Sequence, residues 1–449
     1  MTWDERDKAV LWHPFTQMKV WSEQPQLTIE SGEGIFLVDT EGNRYYDGVS
    51  SLWVNIHGHR RKEIDDAIKE QLDKIAHTTM LGLVNIPAVE YGEALLKKVP
   101  SGLTRVFYSD DGSTAVEAAL KICFQYWKNS GQLQKKKFIT LDSAYHGDTL
   151  GTVSVGGIDL FHQTFSTLLF DTYKIPCPSC FHCLKVSDSE KEKCQLLCLE
   201  DLESLLKKHS DQIAGLIIEP IFQAAAGMLQ QPKGYLAKVR ELTTKYDVLM
   251  IADEVAVGFG RTGKLFACDH EEVTPDLLCL SKGITGGYLA LGATLATERI
   301  YEAFLGELIE GKTFYHGHSY TGNPLACAAA MASLELFDKD QVFQKFPEKE
   351  KAMAQGLEKI AKNSKVADIR HRGLIAGIEL LPTKANHIAD ICRSCRASGL
   401  IIRNIGNVII LMPPIVSTPD EISQMVQIIA KSLNERELNS CIGADPCAF

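Results

Sequence analysis

Two short apolar runs in the middle of the chain each end on a side chain that can do chemistry. Residues 248–251 run into Asp253 and Glu254, and residues 277–280 run into Ser281, Lys282 and Gly283. Short apolar runs bounded by polar turns and set between helical patterns read as buried parallel strands. In open α/β sheets, ligands bind just beyond the carboxyl ends of such strands. An acid and an amine at two neighbouring strand ends match the needs of one cofactor. Pyridoxal phosphate requires a lysine to carry it and a carboxylate to keep its ring nitrogen protonated, so that the ring can draw electrons. A strand-end salt bridge between Asp253 and Lys282 is the simpler alternative, and other parts of the chain must decide.

Further candidates lie before and after this pair. The segment SDDGST feeds a helical pattern carrying Val116, Ala119, Leu120, Cys123 and Trp127. A small polar turn at a helix N-terminus offers unpaired N–H groups and the positive end of the helix dipole, a seat for phosphate. Gly112 permits close backbone approach and Ser113 adds a hydroxyl donor. Thr114 and Glu117 have capping-box spacing, which an ordinary helix start would share. Tyr145, in SAYHGDT after a strand over 138–141, is placed to lie on a planar ring. Glu219 is a third strand-end acid. Gly317 to Gly322 form a loop of small and hydroxyl residues before an Ala-rich helix. Gly258, Gly260 and Gly263 imitate a dinucleotide fingerprint. The polar segment after them is too short for the crossover helix that motif requires, which excludes a nicotinamide site. Cys177, Cys180, Cys183, Cys194 and Cys198, with His182, have metal-like spacing, but a surface insertion of reduced thiols is the favoured reading, and no metal is assigned.

The elements that must hold these residues can be read in outline. The 449 residues suffice for one large α/β domain with additions or for two domains. Apolar content of 45%, charged content of 23% and a formal net charge of −10 suit a globular protein and argue against a nucleic-acid surface. No apolar run approaches a membrane span and the first residues lack a signal-peptide core, so the cytoplasm is expected. The remaining cysteines, Cys123, Cys268, Cys279, Cys327, Cys392 and Cys395, read as small core residues. WHPFTQMKVW lacks any period and reads as an arm. A hairpin is expected over 35–46, a helix over 62–76, and alternating strands and helices from Arg105 onward. The lysines 135–137 read as a solvated turn. Beyond about 340 the pattern changes to a strand after a basic turn, a helix over 385–398, a hairpin carrying Arg403, and a last helix over 419–436. The expected division is an arm and part of a small domain at 1–60, a large domain at 61–338, and a small-domain remainder at 339–449.

Taken together, IADEVAVGFGRTG, LSKG and SDDGSTAVEAALK resemble the class III pyridoxal-phosphate aminotransferases, along nearly the whole chain. WHPFTQM, SSLWVNIHGH, FYHGHSYTGNPLACAAA and the RNIGN-to-LMPP hairpin resemble the branch of that family serving biotin biosynthesis. The resemblance implies a fold-type I α/β protein: a large domain with a mostly parallel central sheet plus a smaller α+β domain. It implies Lys282 as the Schiff-base lysine and proton shuttle, Asp253 on the pyridinium nitrogen, Gly112 and Ser113 on the phosphate, and Tyr145 over the ring. It implies that His318 and Ser319 reach the cofactor of a neighbouring subunit in a homodimer. Trp53, Tyr145, Gly317, Arg403 and Phe15 would line the substrate site, Arg403 gripping a carboxylate. The implied reaction moves an amino group from S-adenosylmethionine, or from lysine, to 8-amino-7-oxononanoate. His318 stands where relatives often carry Pro, and Phe15 where adenosylmethionine-using members carry Tyr. Two rivals remain: another ω-aminotransferase acting on a diamine, γ-aminobutyrate or a ketone, and a binding protein that keeps the fold without the catalysis.

Overall fold

The computed structural model describes residues 1–179, 196–382 and 386–434. Cys180, His182, Cys183 and Cys194 lie outside them, whereas Cys177 donates through Sγ to Gln223 Oε1 at 2.8 Å. The chain divides into two compact units, Glu63–Asp338 and a second made of Met1–Lys62 with Lys339–Phe449.

The larger unit is built on a seven-stranded sheet. Its order is Leu103–Ser109, Gly292–Thr297, Leu277–Leu280, Leu249–Asp253, Ile213–Ile218, Lys137–Leu141 and Tyr173–Ile175. The last five run parallel to one another, and Gly292–Thr297 alone among the seven is antiparallel to both of its neighbours. Ile213–Ile218, Leu249–Asp253 and Leu277–Leu280 are buried at every position. That is why they read as continuous apolar runs instead of alternating ones: helices cover both faces of a parallel sheet. The helix Gly112–Asn129 lays Val116, Ala119 and Cys123 against Ile217, Ile251 and Leu277.

Three local expectations change. The helix begins at Gly112, one turn early for a Thr114–Glu117 box. Asp111 is its cap, accepting the Thr114 N–H at 2.8 Å, and Glu117 instead accepts from the Thr149 hydroxyl. Lys135 is no solvated turn: its Nζ lies 4.2 Å above the Trp127 ring, donates 3.1 Å to Ser210 O and also bonds Asp247 O. A long apolar stem and a point charge let one lysine satisfy two carbonyls while covering an indole. In the N-terminal arm, Trp3–Val10 and Met18–Glu23 are short helices.

The smaller unit holds two sheets. Ile29–Glu33, Phe36–Asp39 and Arg44–Asp47 form a meander to which Leu400–Ile401 adds in parallel. Val366–Arg372, Ile375–Leu380, Val408–Leu411 and Arg403–Ile405 form the other. The basic stretch expected as a turn is itself a strand, and the reversal falls at Gly373, which has φ +61°.

Immediately after Arg44–Asp47 the backbone makes a left-handed turn. Ser50, Ser51, Leu52 and Trp53 have φ of 51°, 49°, 73° and 70°. Trp53 N–H donates to Val49 O at 2.7 Å and Val54 N–H to Ser50 O at 2.9 Å. Each L-residue so wound costs about 1–2 kcal/mol against a right-handed turn, so something outside the turn must hold it. Ser51 donates to Asp47 through N–H at 2.7 Å and through Oγ at 2.8 Å. Ser50 Oγ donates to Met412 O at 2.7 Å.

Trp127 is fully buried and donates Nε1–H to Ala214 O at 2.7 Å, tying the helix to the sheet. Trp127→Ala is expected to lower unfolding free energy by about 3–5 kcal/mol, read as a shift of the urea midpoint at constant m value.

Candidate active site

Five parallel strands deliver their carboxyl ends to one edge of the seven-stranded sheet. Ser109 leads into Asp110, Asp111 and Gly112; Leu141 leads to Tyr145 and His146; Ile218 to Glu219; Leu280 to Lys282; and Asp253 is itself a strand terminus. Gly292, the start of the antiparallel strand, lies at the same edge, paired with Ser109. Residues distant in sequence are brought together by strand order alone.

Asp253 is buried, 4% exposed. Its Oδ2 lies 2.7 Å from His146 Nδ1, and its Oδ1 accepts the Val255 N–H at 3.0 Å. A buried carboxylate needs such partners, since taking an anion from water unpaired is costly. The His146 ring is enclosed too, and its Nε2 has no partner among the described residues. Glu219 is a second buried acid. It accepts the Tyr145 N–H at 3.2 Å and the Ala224 N–H at 2.9 Å. Burial pushes its carboxyl up to about 7, with Asp253 adding in the same direction and His146 opposing.

Lys282 follows its strand with φ +46°, a left-handed bend that turns it out of the strand direction. The residue is half-buried. Burial lowers its pKa below the ordinary lysine value; Asp253 and Glu219 pull the other way, and Arg261 adds to the lowering.

Gly112 and Ser113 open the helix Gly112–Asn129, where the first N–H groups have no intrahelical acceptor. A Cβ on Gly112 would come within 2.6 Å of Val255 Cγ1, so only glycine allows this approach. Ser113 Oγ accepts the Asp148 N–H at 3.2 Å, and Asp148 accepts the Tyr145 hydroxyl at 2.7 Å. Tyr145 is thereby anchored at its far end, with burial raising its phenol above the usual value. His162 lies parallel to it at 6.4 Å between ring centroids.

An anion seat at a long helix, a buttressed buried acid and an amine with a lowered pKa form a set that fits pyridoxal phosphate. The structure brings together Lys282, Asp253, Tyr145, Gly112 and Ser113 within the larger unit. Gly317, His318 and Ser319 belong to that unit too, on an exposed loop, and His318 Nδ1 lies 3.0 Å from Asp110 Oδ2. Trp53, Phe15 and Arg403 belong to the smaller unit. Trp53 is buried in the left-handed turn, Phe15 is exposed with φ +49°, and Arg403 pairs with Ile410 in its hairpin. His146, Asp148 and Arg261 were not singled out from sequence. His146 adjoins Tyr145 in the SAYHGDT segment, but nothing local announces its bond to Asp253, 107 residues away.

The class-III aminotransferase family model matches residues 17–433. An adenosylmethionine-8-amino-7-oxononanoate aminotransferase of Geobacter sulfurreducens is 49% identical over 441 residues, covering 96% of each chain. A crystal structure of the Methanocaldococcus jannaschii protein of the same name superposes with a TM-score of 0.91, at 43% identity and 97% and 99% coverage. An amine transaminase from an uncultivated Pseudomonas species, solved in its PLP-bound form, has a TM-score of 0.87 at 33% identity, with 94% and 98% coverage.

The folded-state pKa of Glu219, about 7, lies above the ordinary 4.5. Its contribution to stability is therefore complete below the lower value and lost as pH rises through the upper one, at up to about 1.4 kcal/mol per pH unit. Glu219→Gln is expected to flatten that part of the stability–pH curve between pH 4.5 and 7, measured as urea midpoints. Glu254, shifted to about 7 by its own burial, keeps its separate share.

Proposed function

The chain belongs to the class III aminotransferases, and from that premise we propose that it is a pyridoxal-phosphate-dependent enzyme of biotin biosynthesis. It transfers an amino group to 8-amino-7-oxononanoate, giving 7,8-diaminononanoate, with S-adenosylmethionine as donor. The observation that carries this is the near-full-length likeness to relatives bearing that activity in their names, in a chain that sets Asp253 and Lys282 at the carboxyl ends of two neighbouring parallel strands.

When bound, pyridoxal phosphate supplies an electron sink that accepts the amino group from one substrate and yields it to the next. Lys282 would hold the cofactor through Nζ. Its free amine would take and return the proton on the substrate carbon that bears the nitrogen. The lowered pKa of its amine favours the unprotonated form this requires. Asp253 would accept the hydrogen of the cofactor's ring nitrogen, and His146 orients Asp253. Gly112 and Ser113 bind the phosphate through the helix N-terminus. Tyr145, steadied by Asp148, would cover one ring face.

Trp53, Tyr145, Gly317, Phe15 and Arg403 line the substrate site, and the Arg403 guanidinium grips the acceptor's carboxylate in a two-bonded fork. The enzyme is a cytoplasmic homodimer in which His318 and Ser319 reach the neighbouring subunit's cofactor. Exposed apolar residues support that pairing: Leu308, Ile309, Tyr315 and Tyr320 before Gly322, and Leu81, Val84 and Ile86 around Asn85, which donates to Gly322 O at 3.0 Å. No helix of the described residues is long and apolar enough to cross a membrane. Phe15 lacks the hydroxyl of adenosylmethionine-using relatives, which keeps lysine as the second candidate donor.

Lys282→Ala is expected to lower turnover by about four orders of magnitude while the fold persists, measured by steady-state assay beside circular dichroism. In the absence of acceptor, S-adenosylmethionine is expected to bleach the cofactor's visible absorption and lysine to leave it intact. Bleaching by lysine alone would reverse the donor assignment.

A further inference from the structure

Four consecutive non-glycine residues in the left-handed region are an unusual thing for a chain to keep. Glycine would relieve the strain at each position, and Gly48 and Gly58 stand on either side of the turn, yet none lies within it. Strained backbone persists only where its surroundings over-determine it, and such sites cluster where function needs a fixed geometry.

The surroundings here are specific. Asp47 ends the strand Arg44–Asp47, and its side chain is fully enclosed. Its carboxylate accepts Ser51 N–H at 2.7 Å and Ser51 Oγ–H at 2.8 Å, and stands 2.9 Å from His59 Nε2. The backbone beneath it is pinned as well: Asp47 N–H donates to Ile35 O and Gly48 N–H to Ile401 O, both at 2.9 Å. Ser50 Oγ adds the bond to Met412 O, and Met412 N–H donates back to Gly48 O at 2.8 Å. The turn is therefore bolted to three separate segments of the smaller unit.

Handedness decides where the side chains of the turn point. Reversing φ and ψ over four residues redirects each Cα–Cβ bond, so a right-handed turn would send Leu52 and Trp53 elsewhere. As wound, Trp53 is 6% exposed and Leu52 is 49% exposed.

We infer that the clamp formed by Asp47, Ser51 and His59 is a specificity device, holding the turn left-handed so that the Trp53 indole is a preformed wall for the substrate. Asp47, Ser51 and His59 are positioning residues; they act through Trp53. The inference rests on the proposal that Trp53 lines the substrate site. A wall set before binding costs no ordering when the acceptor arrives, so its loss falls on binding and spares the proton transfers at Lys282.

The test compares Asp47→Asn, Ser51→Ala and Trp53→Ala holoenzymes, by KM for 8-amino-7-oxononanoate, kcat, thermal midpoint and the visible spectrum of the bound cofactor. Trp53→Ala is expected to raise KM about tenfold. Asp47→Asn is expected to raise it in the same direction by about fivefold or more, with kcat within about threefold and the cofactor spectrum unchanged. Ser51→Ala, which keeps the N–H bond to Asp47, is expected to give a smaller rise and serves if Asp47→Asn does not fold. Wild-type KM in both clamp variants beside a raised KM in Trp53→Ala would overturn the clamp and leave the pocket assignment standing. Unchanged KM in Trp53→Ala would overturn the pocket assignment and the clamp with it. A fall in kcat and thermal midpoint at constant KM would make the clamp merely structural.

Discussion

An anion placed where water cannot reach it must be held by something, and that requirement organises the larger unit. Asp253 closes the strand Leu249–Asp253 with its carboxylate buried, and His146 meets it at 2.7 Å. The pair exists only because the Leu141 strand end, two places across the sheet, presents its following loop to the same edge. Glu219, from the strand lying between them, sits in the same low-dielectric surroundings and responds by holding its proton more tightly. Lys282, one strand further on, loses basicity by the same burial. One environment thus shifts an acid up and an amine down, the direction each needs if protons are to move near neutral pH.

The antiparallel strand Gly292–Thr297 serves this arrangement in a different way. It separates Leu103–Ser109 from Leu277–Leu280, so the helix Gly112–Asn129 begins two strands from Lys282. That helix is nevertheless secured to the sheet beneath. Thr294 Oγ1 donates to Ala115 O at 2.6 Å, and Trp127 bonds the Ala214 carbonyl at its other end. A helix fixed at both ends presents its first N–H groups at a constant position, which is what binding an anion without reorganisation requires.

The smaller unit carries its constraint in the backbone. The left-handed turn at Ser50–Trp53 is locally unfavourable and is held by a buried carboxylate with three donors. Lys282 in the larger unit also has a positive φ. In both places a side chain assigned to function sits on backbone that its own sequence would not choose, as expected where geometry matters more than local stability.

Much of this was legible beforehand. The buried parallel strands announced themselves as unbroken apolar runs, and the polar residues closing them marked the open edge of the sheet, because side chains that follow a strand's carboxyl end lie there. Asp253, Lys282 and Tyr145 were singled out by that rule, and Gly112 and Ser113 by the polar turn that opens a helix. Local chemistry misled where a competing partner was distant. Thr114 and Glu117 have capping-box spacing, but Asp111 takes the cap and Thr149 takes the glutamate. Lys135 belongs to a lysine run that looks solvated until Trp127 and two carbonyls enclose it. The sequence by itself determined the buried strands of the large sheet and the residues at their ends, since these depend on hydrophobic period and turn chemistry within a dozen residues, but not the antiparallel direction of Gly292–Thr297. Only the tertiary structure decided that His146 supports Asp253, that Glu219 holds its proton near pH 7, and that Ser50–Trp53 winds left-handed. Those facts depend on which distant segments the sheets bring into contact, and on how much water that contact removes.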